Sequence, residues 1–285
     1  MIESHISLLL VVIPLLAAPV TALLPGVRLP WLTALLVSWV CFALAIWQFA
    51  LVMDGSVISY ELGGWAPPWG IEYRIDIVNA FVALIVAGMA AITLPYALRS
   101  VEQEIPKHQI PLFYSMFLLC MDGLLGITLT GDIFNLFVFL EISSLSSYTL
   151  ISMGRQRRAL TAAYQYLIMG TIGATFLLIG IGLIYAETGT LNMADLSNRL
   201  PAVFSHHTVH TAFAFIVVGV ALKLAMFPLH LWLPNAYTYA PSAITVFLAA
   251  TATKVAVYVM LRVVFTVFST GFTSDTPTDD MFLLL

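Results

Sequence analysis

The sequence predicts an all-α fold, a bundle of about eight transmembrane helices in which the seventh helix is broken. Of its 285 residues, 61% are hydrophobic and only 9% are charged, whereas soluble domains carry roughly 25% charged residues. Most of the chain divides into apolar runs near the roughly 20 residues that a bilayer helix needs. A proline interrupts the seventh of these runs. These observations make the lipid bilayer the expected surroundings of the chain.

Composition also argues against several classes of protein. The net charge is −4, and the few basic residues are scattered, so we expect no nucleic-acid partner. Cys41 and Cys120 lie in separate apolar runs without metal-ligand spacing. No nucleotide-binding glycine loop, redox-cofactor ligand set or nucleophile constellation is visible. We therefore expect no cofactor, no metal and no enzymatic activity in the chain itself.

Three predicted helices, 6–24, 31–53 and 75–96, form a first region, 1–110. The chain start lacks the basic segment of a signal peptide, so the first apolar run is predicted to be a retained helix. Residues 54–74 are too polar and too rich in glycine and proline to span a bilayer. They predict an extramembrane loop or hairpin, after which Asp76 is the expected N-cap of the third helix.

A second region, 111–268, holds five predicted helices: 111–130, 133–152, 162–186, 209–233 and 243–268. The turn at Gly131 is so short that the fourth and fifth helices must be antiparallel neighbours, with Asp132 as N-cap. Residues 187–207 are predicted to be a second loop outside the membrane. Small residues in the sixth helix predict close helix packing: Gly170, Gly173, Gly180 and Gly182.

The third region, 269–285, is predicted to be a polar loop followed by the beginning of an incomplete ninth helix. Basic residues in short loops predict the orientation of the bundle, because they concentrate on the cytoplasmic side. Six of them share one side and two the other: Arg28, Arg99, Lys107, Arg155, Arg157 and Arg158 against Arg74 and Arg199. The N-terminus is therefore predicted to lie outside.

Ionisable residues in helix interiors are the candidate functional residues: Asp122, Glu141, Lys223 and Lys254. Each costs several kcal/mol in lipid, roughly, so each should face protein or water. Burial favours the neutral forms of lysine and glutamate, and a nearby opposite charge favours the charged forms. A glutamate–lysine pair whose members can separate would thus exchange protons, and two lysines on consecutive helices, Lys223 and Lys254, would allow a relay from one to the next. The alternative is a static buried ion pair that holds helices together.

Other residues leave two interpretations open. Asp122 is an accessory ion site or merely satisfies a nearby hydroxyl or lysine. The cluster of His206, His207 and His210 is a solvated loop or a metal site, and the loop is favoured. Arg262, in the eighth helix, is expected to extend its side chain toward the outer interface.

Pro228 predicts where the seventh helix breaks, because proline removes a backbone hydrogen bond. Broken helices at membrane depth recur where ions pass. His230 lies seven residues after Lys223, which on a continuous helix is a similar face about two turns further on. It is expected to relay protons near neutral pH, the alternative being an interfacial histidine.

Four runs resemble one family of membrane proteins: GDIFNLFVFLE at 131–141, KLAMFPLHLWLPNAYTYAP at 223–241, TKVAVY at 253–258 followed by Arg262, and TGTLNM at 188–193. The family comprises the antiporter-like proton-translocating subunits of respiratory complex I, membrane-bound hydrogenases and multisubunit cation/proton antiporters. The last run looks most like the D subunit of the multisubunit Na⁺/H⁺ antiporters. The resemblance extends from about residue 70 to residue 265.

The resemblance implies a role for each matched residue. Glu141 would be the glutamate that pairs with Lys223, Lys254 would pass protons toward the membrane centre, and His230 would lie beside the cytoplasmic access route. The chain would contain the first of two inverted five-helix repeats. Its implied partners are protons, monovalent cations such as Na⁺, and other membrane subunits of an antiporter or redox complex. Its implied location is the inner membrane of a prokaryote.

The leading hypothesis is therefore a cation-translocating subunit of a multisubunit Na⁺/H⁺ antiporter. A proton-pumping subunit of a complex I-like or hydrogenase-type redox complex is the first alternative. An independent secondary transporter and a truncated, non-transporting scaffold subunit are the others. The sequence does not decide which ion is coupled.

Overall fold

The computed structural model describes residues 5–269 and 272. In that part of the chain, eight helices are long and apolar enough to cross a membrane. They are α1 (Ile6–Leu23), α2 (Arg28–Val52), α3 (Ile77–Glu104), α4 (Ile110–Leu129), α5 (Ile133–Ser152), α6 (Arg158–Thr188), α8 (His207–Leu224) and α10 (Ser242–Leu261). The last continues as a π-helix, Arg262–Val267. The predicted all-α membrane bundle is confirmed.

Shorter elements join these helices. A hairpin of β1 (Ile58–Glu61) and β2 (Glu72–Ile75) precedes α3, with Ile58 opposite Ile75. Helix α7 (Met193–Arg199) precedes α8, and α9 (Trp232–Tyr239) follows it. The hairpin predicted for 54–74 is confirmed. The loop predicted for 187–207 is wrong in part, because Asn192 caps α7 with hydrogen bonds to two backbone N–H groups.

Helix α4 is the most enclosed of the membrane-crossing helices, and every residue from 120 to 133 is buried. It packs against α1, α2 and α3 on one part of its surface and against α5 and α10 on another. Gly126 permits the close approach of α5, because any side chain there would overlap the ring of Phe139. The predicted antiparallel pairing of α4 and α5 is confirmed.

The hairpin side of the bundle is closed by hydrogen bonds between distant segments. Gly131 N–H donates to the carbonyl of Glu72 at 2.8 Å, and Asn192 Nδ2 donates to Glu72 Oε2 at 2.8 Å. Asp132 caps α5 by accepting from Asn135 N–H, as predicted. Burial raises the pKa of the Asp132 carboxyl, and the hydrogen bond from Asn135 opposes that shift. Asp76 caps α3, also as predicted.

Two other expectations concern boundaries. Helix α3 continues to Glu104 rather than ending near 96, because its polar last turns remain helical beyond the apolar run. The polar loop and incomplete ninth helix expected at 269–285 lie outside the described residues, apart from Ser269 and Phe272. The division of the chain into regions 1–110, 111–268 and 269–285 stays a prediction.

Candidate functional site

Glu141 and Lys223 meet in the interior of the bundle, as the sequence predicts. Lys223 Nζ, in the last turn of α8, donates to Glu141 Oε1 on α5 at 3.2 Å. The lysine side chain is 5% exposed and the glutamate side chain 26% exposed. The pair is thus enclosed at the lysine end and more open at the carboxylate end.

Two further residues of α5 bind the same ammonium group. Ser144 Oγ lies 2.7 Å from Lys223 Nζ, and the Tyr148 hydroxyl lies 3.5 Å from it. The sequence reasoning missed both. The signal was nevertheless present, because 141, 144 and 148 follow the i, i+3, i+7 spacing of one helix face. One face of α5 therefore supplies three oxygen acceptors to one lysine.

The chain leaves helical geometry directly after Lys223. Helix α8 ends at Leu224, and Ala225 adopts a left-handed conformation with φ 59°. The N–H of Met226 turns back to the carbonyl of Ala221 at 3.0 Å. Trp232 Nε1, at the start of α9, donates to the carbonyl of Leu222 at 3.0 Å. The break is therefore a non-helical segment from 225 to 231, larger than the proline kink that the sequence predicts.

Aromatic rings connect this break to the ion pair. The ring of Trp232 stacks on Tyr166 of α6 with centroids 3.9 Å apart, and Tyr166 meets Tyr148 edge-on at 4.5 Å. Tyr148 fits only because residue 170 is glycine, since any side chain at Gly170 would overlap its hydroxyl. The glycines at 170, 173 and 180 all permit close contacts, whereas Gly182 has open space around it.

One cavity and two clefts lie near the ion pair or the helix break. The cavity has a volume of about 20 Å³ and is lined by Lys223, by serines of α5 and by Ala252 and Val255 of α10. That volume holds roughly one water molecule. Two open clefts between α6 and α9, about 360 and 450 Å³, share Gln165 and Asn235, and the larger reaches Trp232.

His230 does not occupy the position that helical spacing predicts. It lies in the non-helical segment, so the two-turn relation to Lys223 does not exist. Its ring stacks on Phe227 with centroids 5.6 Å apart. Its Nδ1 is buried and has no hydrogen-bond partner in the described part of the chain. The interruption of α8 at Leu224 is the physical reason for this correction.

Lys254 and Asp122 lie apart from the pair. Lys254 is on an exposed face of α10, where its Nζ donates to the carbonyl of Ala249 at 2.6 Å. Its predicted relay role is untested. Asp122 is fully buried on α4, and neither oxygen has a hydrogen-bond partner among residues 5–269 and 272. The alternative in which it satisfies a hydroxyl or a lysine is therefore wrong, and its role as an accessory ion site stays a prediction.

The structure adds partners to two peripheral groups. The guanidinium of Arg262 pairs with Asp76 and donates to the hydroxyl of Tyr258, and its predicted direction toward the outer interface stays a prediction. Of the three histidines, His206 pairs with Glu187 at 2.9 Å. No group of three or more metal-binding side chains occurs within the residues that the structure describes.

The fold and the buried pair define a class, namely multi-pass membrane proteins with an ion pair beside a broken helix. Residues 130–277 match the family described as NADH:quinone oxidoreductase/Mrp antiporter, transmembrane. The chain belongs to this family, which confirms the resemblance inferred from its motifs.

Three similar proteins illustrate the relationship. The chain is 43% identical to the N subunit of an NADH-quinone oxidoreductase from Desulforudis audaxviator, covering 92% of this chain and 52% of that protein. It is 31% identical to the D subunit of a Na⁺/H⁺ antiporter from Alkalihalophilus pseudofirmus, covering 78% and 45%. A structure of the membrane-bound sulfane sulfur reductase, an archaeal respiratory membrane complex, matches with a TM-score of 0.88 and 34% identity, covering 95% of this chain and 55% of that one. The chain spans about half the length of the curated relatives that it matches.

Proposed function

We propose that the chain is a proton-translocating subunit of a multisubunit membrane complex, and that the Glu141–Lys223 pair binds and releases the transported proton. The observation that carries this proposal is the position of Lys223. Its ammonium is enclosed, contacts three acceptors on one face of α5, and stands two residues before a helix break at Ala225.

The geometry supports a simple proton-exchange step. While Glu141 is ionised and near, its charge stabilises the buried ammonium of Lys223. Protonation of Glu141, or movement of its more exposed carboxylate, removes that charge. Burial then favours the neutral amine, so Lys223 gives up its proton. The small cavity beside Lys223 borders α10 and provides room for a water molecule to receive it.

Candidate routes exist for the proton both before and after it reaches the Glu141–Lys223 pair. The larger cleft between α6 and α9 reaches Trp232, which packs through Tyr166 to Tyr148. The smaller cleft is lined by Arg158, on the side that the basic residues assign to the cytoplasm. On the other side, Lys254 of α10 is the next ionisable group of the relay that we propose. Its exposed face would contact other parts of the assembled complex.

Substitution within the assembled complex tests the proposal. Glu141→Gln and Lys223→Ala should each abolish proton or sodium flux in inverted membrane vesicles, while the complex still assembles. Lys107→Ala, in an exposed turn before α4, is a matched control that should leave flux unchanged. Normal flux in either pair variant would contradict the proposal. Equal complementation of a deletion by wild type and by a Glu141/Lys223/Lys254 triple variant would favour a scaffold instead.

The parent complex has two candidates. The TGTLNM run favours a Na⁺/H⁺ antiporter, and the 31% identity to the D subunit of such an antiporter is consistent with it. The 43% identity to the N subunit of an NADH-quinone oxidoreductase favours a redox-driven proton pump. Vesicles containing the complex distinguish the two. A sodium gradient alone should change internal pH if the complex is an antiporter, whereas a redox pump should require an electron donor and acceptor.

A further inference from the structure

Helix α4 carries a second buried acid that the Glu141–Lys223 mechanism does not use. Asp122 has no exposed surface, and both of its carboxyl oxygens lack hydrogen-bond partners in the part of the chain that the structure describes. It stands seven residues before the end of α4 at Leu129, or roughly 10 Å along the helix axis. Asp122 therefore lies in the half of the bundle that is nearer to the β1–β2 hairpin.

The titratable groups that a charge on Asp122 would influence are neutral ones. They are the thiol of Cys41 on α2 and the phenol of Tyr73 on β2. Burial raises the pKa of Tyr73, and an ionised Asp122 would raise it further. The other elements packed against α4 are α1, α3, α5, α10 and the short turn 107–109 that precedes it, whose Lys107 and His108 are exposed.

Those elements provide no ion-pair partner for Asp122 in the described residues. The buried side chains of α1 and α3 that face the core include hydroxyls but no charged group. Glu141, on α5, pairs with Lys223 of α8. On α10 and its π-helical continuation, Lys254 is exposed and Arg262 pairs with Asp76.

An ionised carboxylate in such surroundings would have a high free energy. Burying an unpaired charge without hydrogen bonds is so unfavourable that the group takes up a proton instead. We propose that Asp122 is a second proton-binding site of this chain, a neutral carboxylic acid at neutral pH, separate from the Glu141–Lys223 pair. The proposal rests on the burial and the unpartnered oxygens of Asp122, so it stands whether or not that pair transports protons.

A protonated, buried carboxyl has a characteristic reactivity toward hydrophobic carbodiimides. The carboxyl O–H adds across one C=N bond of the reagent, so that oxygen bonds to the central carbon and the proton goes to nitrogen. The acyl group then shifts from oxygen to nitrogen and gives a stable acylurea, with no leaving group. A carboxylate that is held ionised in an ion pair lacks the proton that this addition consumes.

Infrared spectroscopy of the intact complex in membranes at pH 7 tests the protonation directly. We expect a protonated-carboxyl C=O band that disappears in Asp122→Asn and remains in Glu141→Gln. In the unmodified protein, the same band should shift when aspartate is labelled with ¹³C, so the result does not depend on the variant folding. Absence of any such band from ¹³C-labelled wild type would overturn the proposal.

Dicyclohexylcarbodiimide provides the second measurement. Peptide mass spectrometry should find the mass of one reagent molecule added to the peptide containing Asp122, and Glu141→Gln should retain that addition. Asp122→Asn should lose it. Addition at Glu141 and not at Asp122 would overturn the assignment.

Discussion

Lys223 Nζ on α8 lies 2.7 Å from Ser144 Oγ on α5, closer than it lies to the carboxylate of its ion-pair partner. The shortest contact of the buried ammonium is therefore with a neutral hydroxyl, which does not depend on the charge of Glu141. In the proposed exchange step, this contact would hold the amine at the helix break.

Replacing Ser144 with alanine should slow transport, because it removes a hydrogen bond to a charged group. Such bonds contribute about 1.5–3 kcal/mol, which corresponds to roughly a tenfold to hundredfold loss of rate. Proton flux in inverted vesicles measures the change. Ser146→Ala is the matched control, since Ser146 is equally buried on α5 but bonds only the carbonyl of Ile142. Equal fluxes in the two variants would show that Ser144 plays no such part.

A methyl group at Gly170 should displace Tyr148 from Lys223. The added atom would overlap the tyrosine hydroxyl, and overpacking of this kind costs about 1–3 kcal/mol. Gly170→Ala should therefore lower both the melting temperature and the transport rate. Gly182→Ala, on the same helix but with open space around it, should change neither. A Gly170→Ala protein with normal stability would contradict the close packing of α5 and α6.

The left-handed residue at the end of α8 should prefer glycine. Ala225→Gly removes the clash of Cβ in that conformation but adds freedom to the unfolded chain, so stability should rise by about 0.5 kcal/mol. The same substitution at Ala214, an exposed position within α8, should lower stability by about 1 kcal/mol. Thermal unfolding of the two variants shows whether each substitution raises or lowers the melting temperature. A loss of stability in both would mean that residue 225 is helical.

Asp76 should make the hairpin side sensitive to acid. Burial acts to raise its pKa, but hydrogen bonds from Arg262 and from the backbone outweigh burial and hold the pKa below its ordinary value. A lowered folded-state pKa stabilises the protein above the unfolded value, about 3.9, and that contribution is lost as pH falls through the folded value. Asp76→Asn should thus lower the melting temperature at pH 7 but much less at pH 3. Glu102→Gln, exposed near the end of α3, is the control.

Local sequence signals predicted several features that the structure contains. Asp132 and Asp76 cap helices because a short acceptor before an apolar run satisfies free backbone N–H groups, whatever the tertiary context. The cost of a lone charge in an apolar helix favoured a glutamate–lysine pair, and the resemblance to the antiporter-like family implied that Glu141 pairs with Lys223.

Tertiary structure decided the remainder. Helical spacing placed His230 on the face of Lys223, but the backbone stops being helical at Ala225, and no local signal fixed the extent of that break. Arg262 pairs with Asp76, which lies 186 residues away along the chain. Asp122 has an ionisable side chain, yet only packing shows that nothing pairs with it in the described residues.

The amino-acid sequence by itself determined that the chain belongs in a lipid bilayer, the number of its membrane-crossing helices and which ionisable residues lie inside those helices. Those properties follow from the free energy of placing each side chain in lipid, which depends on residue type and local pattern. The tertiary structure decided which acceptors surround Lys223, where Lys254 is exposed and how Asp122 is isolated. Those relationships depend on contacts between helices far apart in sequence, which local pattern does not specify.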